Sequence, residues 1–168
     1  MSFFEVEQKY RLEDPGKIRS ALKKMGARKI AGGMEANEFF DRGKELRRKR
    51  LALRLRKYGG NATLTLKGPR LKARFTKRME IEIPVDHALM GSMLRLAGFR
   101  AVMCYKKERE LYRLGKSLIA LDRLPRSGHF LEIEGRAKNI ARIASRLGFR
   151  PRDREERSYL QMMFGYPH

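Results

Sequence analysis

The chain has 168 residues, 42% of them apolar, which suits one domain (1–168) with a buried core and excludes global disorder. Its 40 Lys and Arg against 19 Asp and Glu give a formal net charge of +21, so the partners it attracts are polyanions: nucleotides, polyphosphate, nucleic acid or an acidic membrane surface. A single cysteine, Cys104, excludes an intrachain disulfide and a cysteine zinc cluster, and the three histidines are too scattered for a metal-ligand spacing.

In chain order, residues 3–12 predict a strand, with Phe4, Val6, Gln8 and Tyr10 alternating against Glu5, Glu7 and Lys9. Asp14-Pro15 reads as a helix N-cap with proline at the first helical position. Ile18, Ala21, Leu22 and Met25 follow at helical spacing, and Gly26 ends the run. Residues 43–50, Gly-Lys-Glu-Leu-Arg-Arg-Lys-Arg, read as a basic loop, either solvated or recruiting a long polyanion. Strands over 51–57 and 62–67 flank Tyr58-Gly59-Gly60-Asn61, whose residues tolerate the positive φ of a hairpin turn. Another strand covers 74–85, followed by a helix over 86–97 that Gly98 stops. Strands over 102–113 and 116–124 flank Leu114-Gly115, and a short strand covers 130–134. A helix over 137–147 ends at Gly148, and 154–164 reads as a last helix. No apolar run reaches the roughly 20 residues a bilayer-spanning helix needs, and Met1-Ser2-Phe3-Phe4 passes at once to Glu5 rather than to a leader-like stretch. The expectation is a cytoplasmic protein that does not use a membrane.

One unit recurs. Glu5-Val6-Glu7, Glu80-Ile81-Glu82 and Glu132-Ile133-Glu134 each precede an amphipathic helix, and the three helices finish in Met-Gly-Ala-Arg, Ala-Gly-Phe-Arg and Leu-Gly-Phe-Arg. The irregular spacing is not that of a solenoid. About eight strands with three or four helices imply an α+β protein dominated by antiparallel pairing, and that strand number suits a closed barrel with helices packed outside.

Residues two apart on a strand share a face. Glu5, Glu7 and Lys9 therefore stand together, as do Arg54 and Arg56, Arg78 with Glu80 and Glu82, Lys107 and Arg109, and Glu132 and Glu134. Lys67 joins Thr63 and Thr65, and Asp122 follows the apolar run Leu118–Leu121. The opposite faces carry Val6, Leu53, Leu55, Leu64, Leu66, Ile81, Ile83, Leu131 and Ile133, a core awaiting the helices. The charged faces have two readings. They face water, with cross-strand pairs contributing about 0.2–1 kcal/mol each. Or they face one another around a cation and an anion, which adjacent like charges require. Carboxylates are ligands for a hard divalent ion such as Mg²⁺ or Mn²⁺, and Arg and Lys neutralise phosphate.

The ordered set Glu5-x-Glu7-x-Lys9, Glu38-Phe-Phe-Asp41, Ala52-Leu-Arg-Leu-Arg56, Thr65-Leu-Lys-Gly-Pro69, Arg78-x-Glu80-x-Glu82, Lys107-x-Arg109, Leu121-Asp122 and Phe130-Leu-Glu-Ile-Glu134 resembles the CYTH superfamily of triphosphate tunnel metalloenzymes. That group holds class IV adenylyl cyclases, thiamine triphosphatases and inorganic triphosphatases. The resemblance implies an eight-stranded antiparallel tunnel lined by charge. It implies Glu5, Glu7, Asp122, Glu132 and Glu134 as carboxylates for Mg²⁺ or Mn²⁺, and Lys9, Arg54, Arg56, Lys67, Lys107 and Arg109 as triphosphate holders. Lys9, Arg54, Arg56, Lys107 and Arg109 are its expected catalytic cations. Arg78 is either a further phosphate ligand or an ion-pair partner, and Glu80 and Glu82 fit the tunnel wall or support Arg54 and Arg56. Arg123 and Arg126 depart from the family pattern, in which an acidic residue often follows the Asp.

The leading expectation is metal-dependent cleavage of a triphosphate, inorganic triphosphate first. The alternatives are a cyclase turning ATP into cyclic AMP and pyrophosphate, and a module that binds nucleic acid or another polyanion without catalysis. A homodimer is compatible with either enzyme. Cys104 is expected as a small buried hydrophobe and Tyr159 as a packing residue.

Overall fold

Alternation sorts each strand's side chains onto two faces, and the structure, a computed structural model describing residues 4–71 and 73–165, uses both faces. The strands are β1 (Phe4–Leu12), β2 (Arg28–Asp41), β3 (Ala52–Tyr58), β4 (Asn61–Leu71), β5 (Thr76–Pro84), β6 (Arg100–Leu114), β7 (Ser117–Leu124) and β8 (Gly128–Glu134). They pair antiparallel in the order β5-β4-β3-β2-β6-β7-β8-β1, and β1 also pairs with β5, which closes an eight-stranded barrel. The closing register sets Glu5 opposite Arg78 and Glu7 opposite Thr76. A two-residue β9 (Arg154–Glu155) adds beside Lys9 and Tyr10.

Helices cover the outer face where it is most apolar. They are α1 (Pro15–Lys24), α2 (Glu45–Arg48), α3 (His87–Leu96), α4 (Ala137–Arg146) and α5 (Tyr159–Phe164). Asp14 caps α1 by accepting from the Lys17 amide at 3.1 Å, and Asp86 caps α3 from the Leu89 amide at 2.8 Å. The three recurrent glycines, Gly26, Gly98 and Gly148, adopt φ of 78°, 84° and 88° past α1, α3 and α4. In each case the next amide bonds back to the helix: Ala27 to Leu22, Phe99 to Leu94, Phe149 to Ala144. The repeated unit is thus a strand, a helix and a left-handed stop. Ile18, Leu22, Ile140, Ile143 and Ala144 of α1 and α4 pack on Tyr10, Ile119, Leu131 and Ile133 outside the barrel. Leu94 of α3 packs on Phe40 and Leu55. Each fully buried Leu or Ile contributes about 1.5–3 kcal/mol.

Several expectations change. The segment 154–164 is not one helix: β9 takes its start, and α5 begins only after Ser158, whose hydroxyl caps it from the Gln161 amide at 3.1 Å. The basic loop contains a single helical turn, α2, because the Asp41 carboxylate accepts from the amides of Leu46 and Arg47. The outer face of β5 is left uncovered, so Ile81 and Ile83 are 42% and 48% exposed rather than core. Cys104 is exposed, since strand parity puts it outside while Tyr105 faces in. Among the described residues no helix is long and apolar enough to cross a membrane.

At the junction of β8 and α4, Gly135 has φ 150° and its amide donates to the Val6 carbonyl. An added Cβ would meet Ser117 Oγ at 2.8 Å. Gly135→Ala should therefore cost about 2 kcal/mol in urea denaturation.

Candidate active site

The inward faces enclose a cavity of about 430 Å³. The three Glu-x-Glu strands, distant in sequence, are neighbours in the barrel, because β1 lies between β5 and β8. Glu5, Glu7, Glu80, Glu82, Glu132 and Glu134 therefore form one acidic wall. Across the cavity, β3 and β6 present Arg54, Arg56, Lys107 and Arg109. With Lys9, Lys67 and Arg78, every site residue expected from the sequence except Asp122 lines the cavity.

On the acidic wall Glu7 stands directly opposite Glu134 in the β1–β8 register. Burial raises the Glu7 carboxyl, and the nearby charges of Glu5 and Glu132 raise it further. Burial, then Glu5, Glu7 and Glu80, push Glu134 up to about 7. Among the described residues neither carboxylate has a salt bridge within 4.0 Å. Glu5 differs: Lys67 Nζ lies 3.2 Å away and Arg78 Nε 3.9 Å, although burial still raises its carboxyl. Glu80 and Glu82 are tied to cations, Glu80 to Lys67 at 2.5 Å and Glu82 to Arg56 at 3.0 Å and Arg54 at 3.6 Å.

The basic side is held from behind. Arg109 clasps Asp122 through Nε at 2.7 Å and Nη2 at 2.6 Å, and Lys107 donates to the same carboxylate at 2.9 Å. Arg109 also bonds Glu132, which Lys9 approaches at 3.4 Å. Burial raises the Glu132 carboxyl, but Lys107, Lys9 and Arg109 outweigh it and hold the group well below the usual range. Asp122 is thus 1% exposed and lies behind the cavity lining, among cations. It is separated from the Glu7–Glu134 pair, where the sequence grouped it with those carboxylates.

Four features escaped the sequence reading. Glu35 of β2 is fully buried and lies 3.4 Å from Lys107, 3.5 Å from Arg109 and 4.0 Å from Arg56, with Asn37 donating to it at 2.9 Å. The signal was there in the alternation of Glu35, Asn37 and Phe39, on a strand the apolar pattern did not single out. Arg70 lines the cavity because a bulge between Lys67 and Arg70 reverses strand parity. Tyr58 lines it too and donates to the Arg109 carbonyl at 3.2 Å. Tyr159, expected as packing, enters the barrel from α5 and donates to Asp122 Oδ2 at 2.7 Å. Lys9 Nζ lies 3.9 Å and Lys107 Nζ 4.5 Å from its ring centroid. Together with Leu160 it closes one end of the tunnel over Phe39, Tyr105, Leu124 and Phe130.

Two sets of groups remain under-satisfied within this cavity. The Nε atoms of Arg54, Arg70 and Arg78 are buried and have no hydrogen-bond partner among the described residues. Phosphoryl oxygens are their natural acceptors. Glu7 and Glu134 repel one another, and their oxygen-only donor set suits Mg²⁺ or Mn²⁺. Among the described residues no trio of acidic, His or Cys groups is gathered around one point, so such an ion fits with few protein ligands and with phosphate oxygens and water as the others.

Comparison with known proteins agrees with this geometry. The family model described as CYTH domain matches residues 4–159. A Methanocaldococcus jannaschii protein that carries the provisional name adenylate cyclase is 31% identical over 138 residues, 81% of this chain and 79% of its own. Adenylate cyclase CyaB of Aeromonas hydrophila is 28% identical over 170 residues, covering 93% of this chain and 86% of its own. An X-ray structure of a Vibrio parahaemolyticus protein, also provisionally named an adenylate cyclase, superposes with a TM-score of 0.87 at 25% identity, covering 97% of this chain and 99% of that one.

Proposed function

Because the chain belongs to the CYTH domain family, we propose that it cleaves a triphosphate inside the tunnel in a divalent-metal-dependent reaction, with inorganic triphosphate the first substrate. The observation that carries this reading is the pairing, in one cavity, of carboxylates without a counter-cation and guanidinium Nε groups without an acceptor. A metal–triphosphate complex satisfies both.

In this reading Glu7 and Glu134, with Glu5 beside them, hold Mg²⁺ or Mn²⁺. The bound ion would neutralise phosphate charge as a Lewis acid and lower the pKa of a coordinated water. Lys9, Arg54, Arg56, Lys67, Arg70, Arg78, Lys107 and Arg109 hold the phosphates, and the fixed cations of β3 and β6 stabilise charge developing on the leaving group. Glu35, Asp122 and Glu132 orient those cations, and Glu80 and Glu82 orient Lys67, Arg54 and Arg56.

A second reading, cyclisation of ATP, is favoured by the names of the relatives and by an apolar strip of the lining, Leu111, Leu118 and Ala120, which offers a base a dry surface. Incubation with inorganic triphosphate and separately with ATP, each with Mg²⁺ or Mn²⁺, separates the two. Phosphate release from triphosphate is the expected result, and cyclic AMP as the sole product reverses the order. Glu5→Gln with Glu7→Gln should abolish turnover. A double variant as active as the native protein removes both residues from the metal site. A polyanion binder without catalysis should instead bind as well or better after that change, because two anions have left the cavity.

A further inference from the structure

A short run of the C-terminal segment, residues 156–159, touches three of the cavity's cations, which stand on three different strands. Lys9 Nζ of β1 donates to the Arg157 carbonyl at 3.2 Å. Arg70 of β4 donates through Nη1 to the Glu156 carbonyl. The Tyr159 ring centroid lies 3.9 Å from Lys9 Nζ and 4.5 Å from Lys107 Nζ of β6. The Tyr159 hydroxyl donates at 2.7 Å to Asp122, the carboxylate that also receives Lys107 and Arg109.

The local sequence fixes this approach. Pairing of Glu155 with Lys9 and of Arg154 with Tyr10 lays β9 beside β1. Ser158 and Gln161 then cap the start of α5 reciprocally. Ser158 Oγ accepts from the Gln161 amide at 3.1 Å, and Gln161 Oε1 accepts from the Ser158 amide at 2.7 Å. Edge contacts with Phe130 and Tyr105, at centroid distances of 5.5 and 6.4 Å, hold the Tyr159 ring, which is 6% exposed. A plug needs only those apolar contacts, and Leu or Phe would supply them. Tyr159 does more, since both its hydroxyl and its ring meet charged groups.

A lysine ammonium is a point charge on a flexible stem, and Lys9 and Lys107 carry like charges that repel. An aromatic ring attracts both without supplying a carboxylate that phosphate would have to displace. We propose that Tyr159 is a positioning residue for the tunnel's cations: its ring holds Lys9 and Lys107, and its hydroxyl, through Asp122, fixes Lys107 and Arg109. This rests on the reading that those cations bind a triphosphate. Ordering them before the substrate arrives takes that cost out of binding, and catalysis needs them held to within about 0.5 Å.

The test combines calorimetric binding of inorganic triphosphate to the metal-free protein with kcat and KM, in Mg²⁺, for whichever triphosphate is cleaved. Tyr159→Phe keeps the ring and loses the hydroxyl. Its affinity and KM should stay within about threefold of native, while kcat falls about 10-fold with the bond to Asp122. Tyr159→Leu loses both. Its affinity should fall about 30-fold, the scale of a desolvated cation–π contact, and its kcat at least as far as that of the Phe variant. Met163 packs in the closed end but is not among the residues lining the cavity. Met163→Ala should therefore lower the melting temperature and leave affinity and kcat native. A packing role alone predicts that all three variants lose stability while their folded molecules bind and turn over normally.

The proposal is overturned by native kcat in Tyr159→Phe or by native affinity in a folded Tyr159→Leu. It is equally overturned if Met163→Ala matches the affinity loss of the Leu variant. Should Tyr159→Leu fail to fold, the kcat of Tyr159→Phe decides. A native protein that binds triphosphate without cleaving it ends the enzymatic reading alone, and the affinities of the Phe and Leu variants then still judge Tyr159.

Discussion

Replacing Glu7 and Glu134 together with Gln is expected to lower triphosphate turnover about 10³-fold, the scale on which loss of transition-state charge stabilisation is felt, and at the same time to make the metal-free protein more stable in mild alkali. The two carboxylates face each other across β1 and β8, and nothing cationic within 4.0 Å among the described residues relieves them. The folded protein therefore raises Glu134 to about 7, by burial and by the charges of Glu5, Glu7 and Glu80. For an acid raised in this way, the stability contribution is fully present below the unfolded pKa, near 4.5, and is lost as pH rises through the folded value. By pH 8 the penalty is about 3 kcal/mol. A neutral amide does not incur it. Urea denaturation should therefore find the double variant equal to the native protein near pH 4.5 and more stable by up to about 3 kcal/mol at pH 8. Added Mg²⁺ should then stabilise only the native protein, since ligand binding to the folded state adds to its stability. A variant less stable than native at pH 8 without metal would mean that some protein cation already neutralises the pair, and the metal assignment would fall with it.

The second large effect is at Glu35. Glu35→Gln should destabilise the protein by about 3–5 kcal/mol at neutral pH, because Lys107 and Arg109 would lose a buried counter-ion that has no water to replace it. Burial alone would raise this carboxyl. Lys107, Arg109 and Arg54 more than offset that and hold it far below the usual carboxylate range. For such a depressed acid the stabilisation is present above the unfolded pKa and is lost only as pH falls through the folded value. The cost of Glu35→Gln should thus be nearly constant from about pH 6 upward and diminish in acid. Glu35→Met combined with Lys107→Met should recover part of the stability while leaving turnover impaired, since Lys107 is one of the proposed phosphate ligands. A loss below about 1 kcal/mol for Glu35→Gln would show that Asp122 and Glu132 suffice for both cations.

Much of the site could be read from strand parity. Glu5, Glu7 and Lys9 had to share a face, as did Arg54 with Arg56 and Lys107 with Arg109, whatever the fold. What parity could not supply was the consequence of irregularity. The bulge after Lys67 turns Arg70 inward, against the simple count. Glu35 was hidden because β2 is polar on its inner face and exposed along much of its outer one, so no apolar alternation marked it. Tyr159 looked like packing because its apolar neighbours are real: Leu160, Met162 and Met163 do pack in the closed end, and only the placement of α5 over the barrel brings the phenol to Asp122. Cys104, Ile81 and Ile83 failed in the opposite sense. Apolar character made them core candidates, but no helix covers their part of the outer wall.

By itself the sequence determined which side chains each strand presents together, where α1, α3 and α4 stop, and that two signs of charge are segregated by strand. These are local properties, set by the two-residue pleat, by the cap Asp14, and by glycines, which adopt positive φ without strain. Only the tertiary structure decided which strands are neighbours. Pairing of β1 with β5 on one edge and β8 on the other gathers three separate Glu-x-Glu segments into one acidic wall and faces it with Arg54, Arg56, Lys107 and Arg109. Electrostatic energy depends on distance through space rather than along the chain, so the carboxylate pair and the guanidinium Nε atoms that lack an acceptor come together only once the barrel has closed.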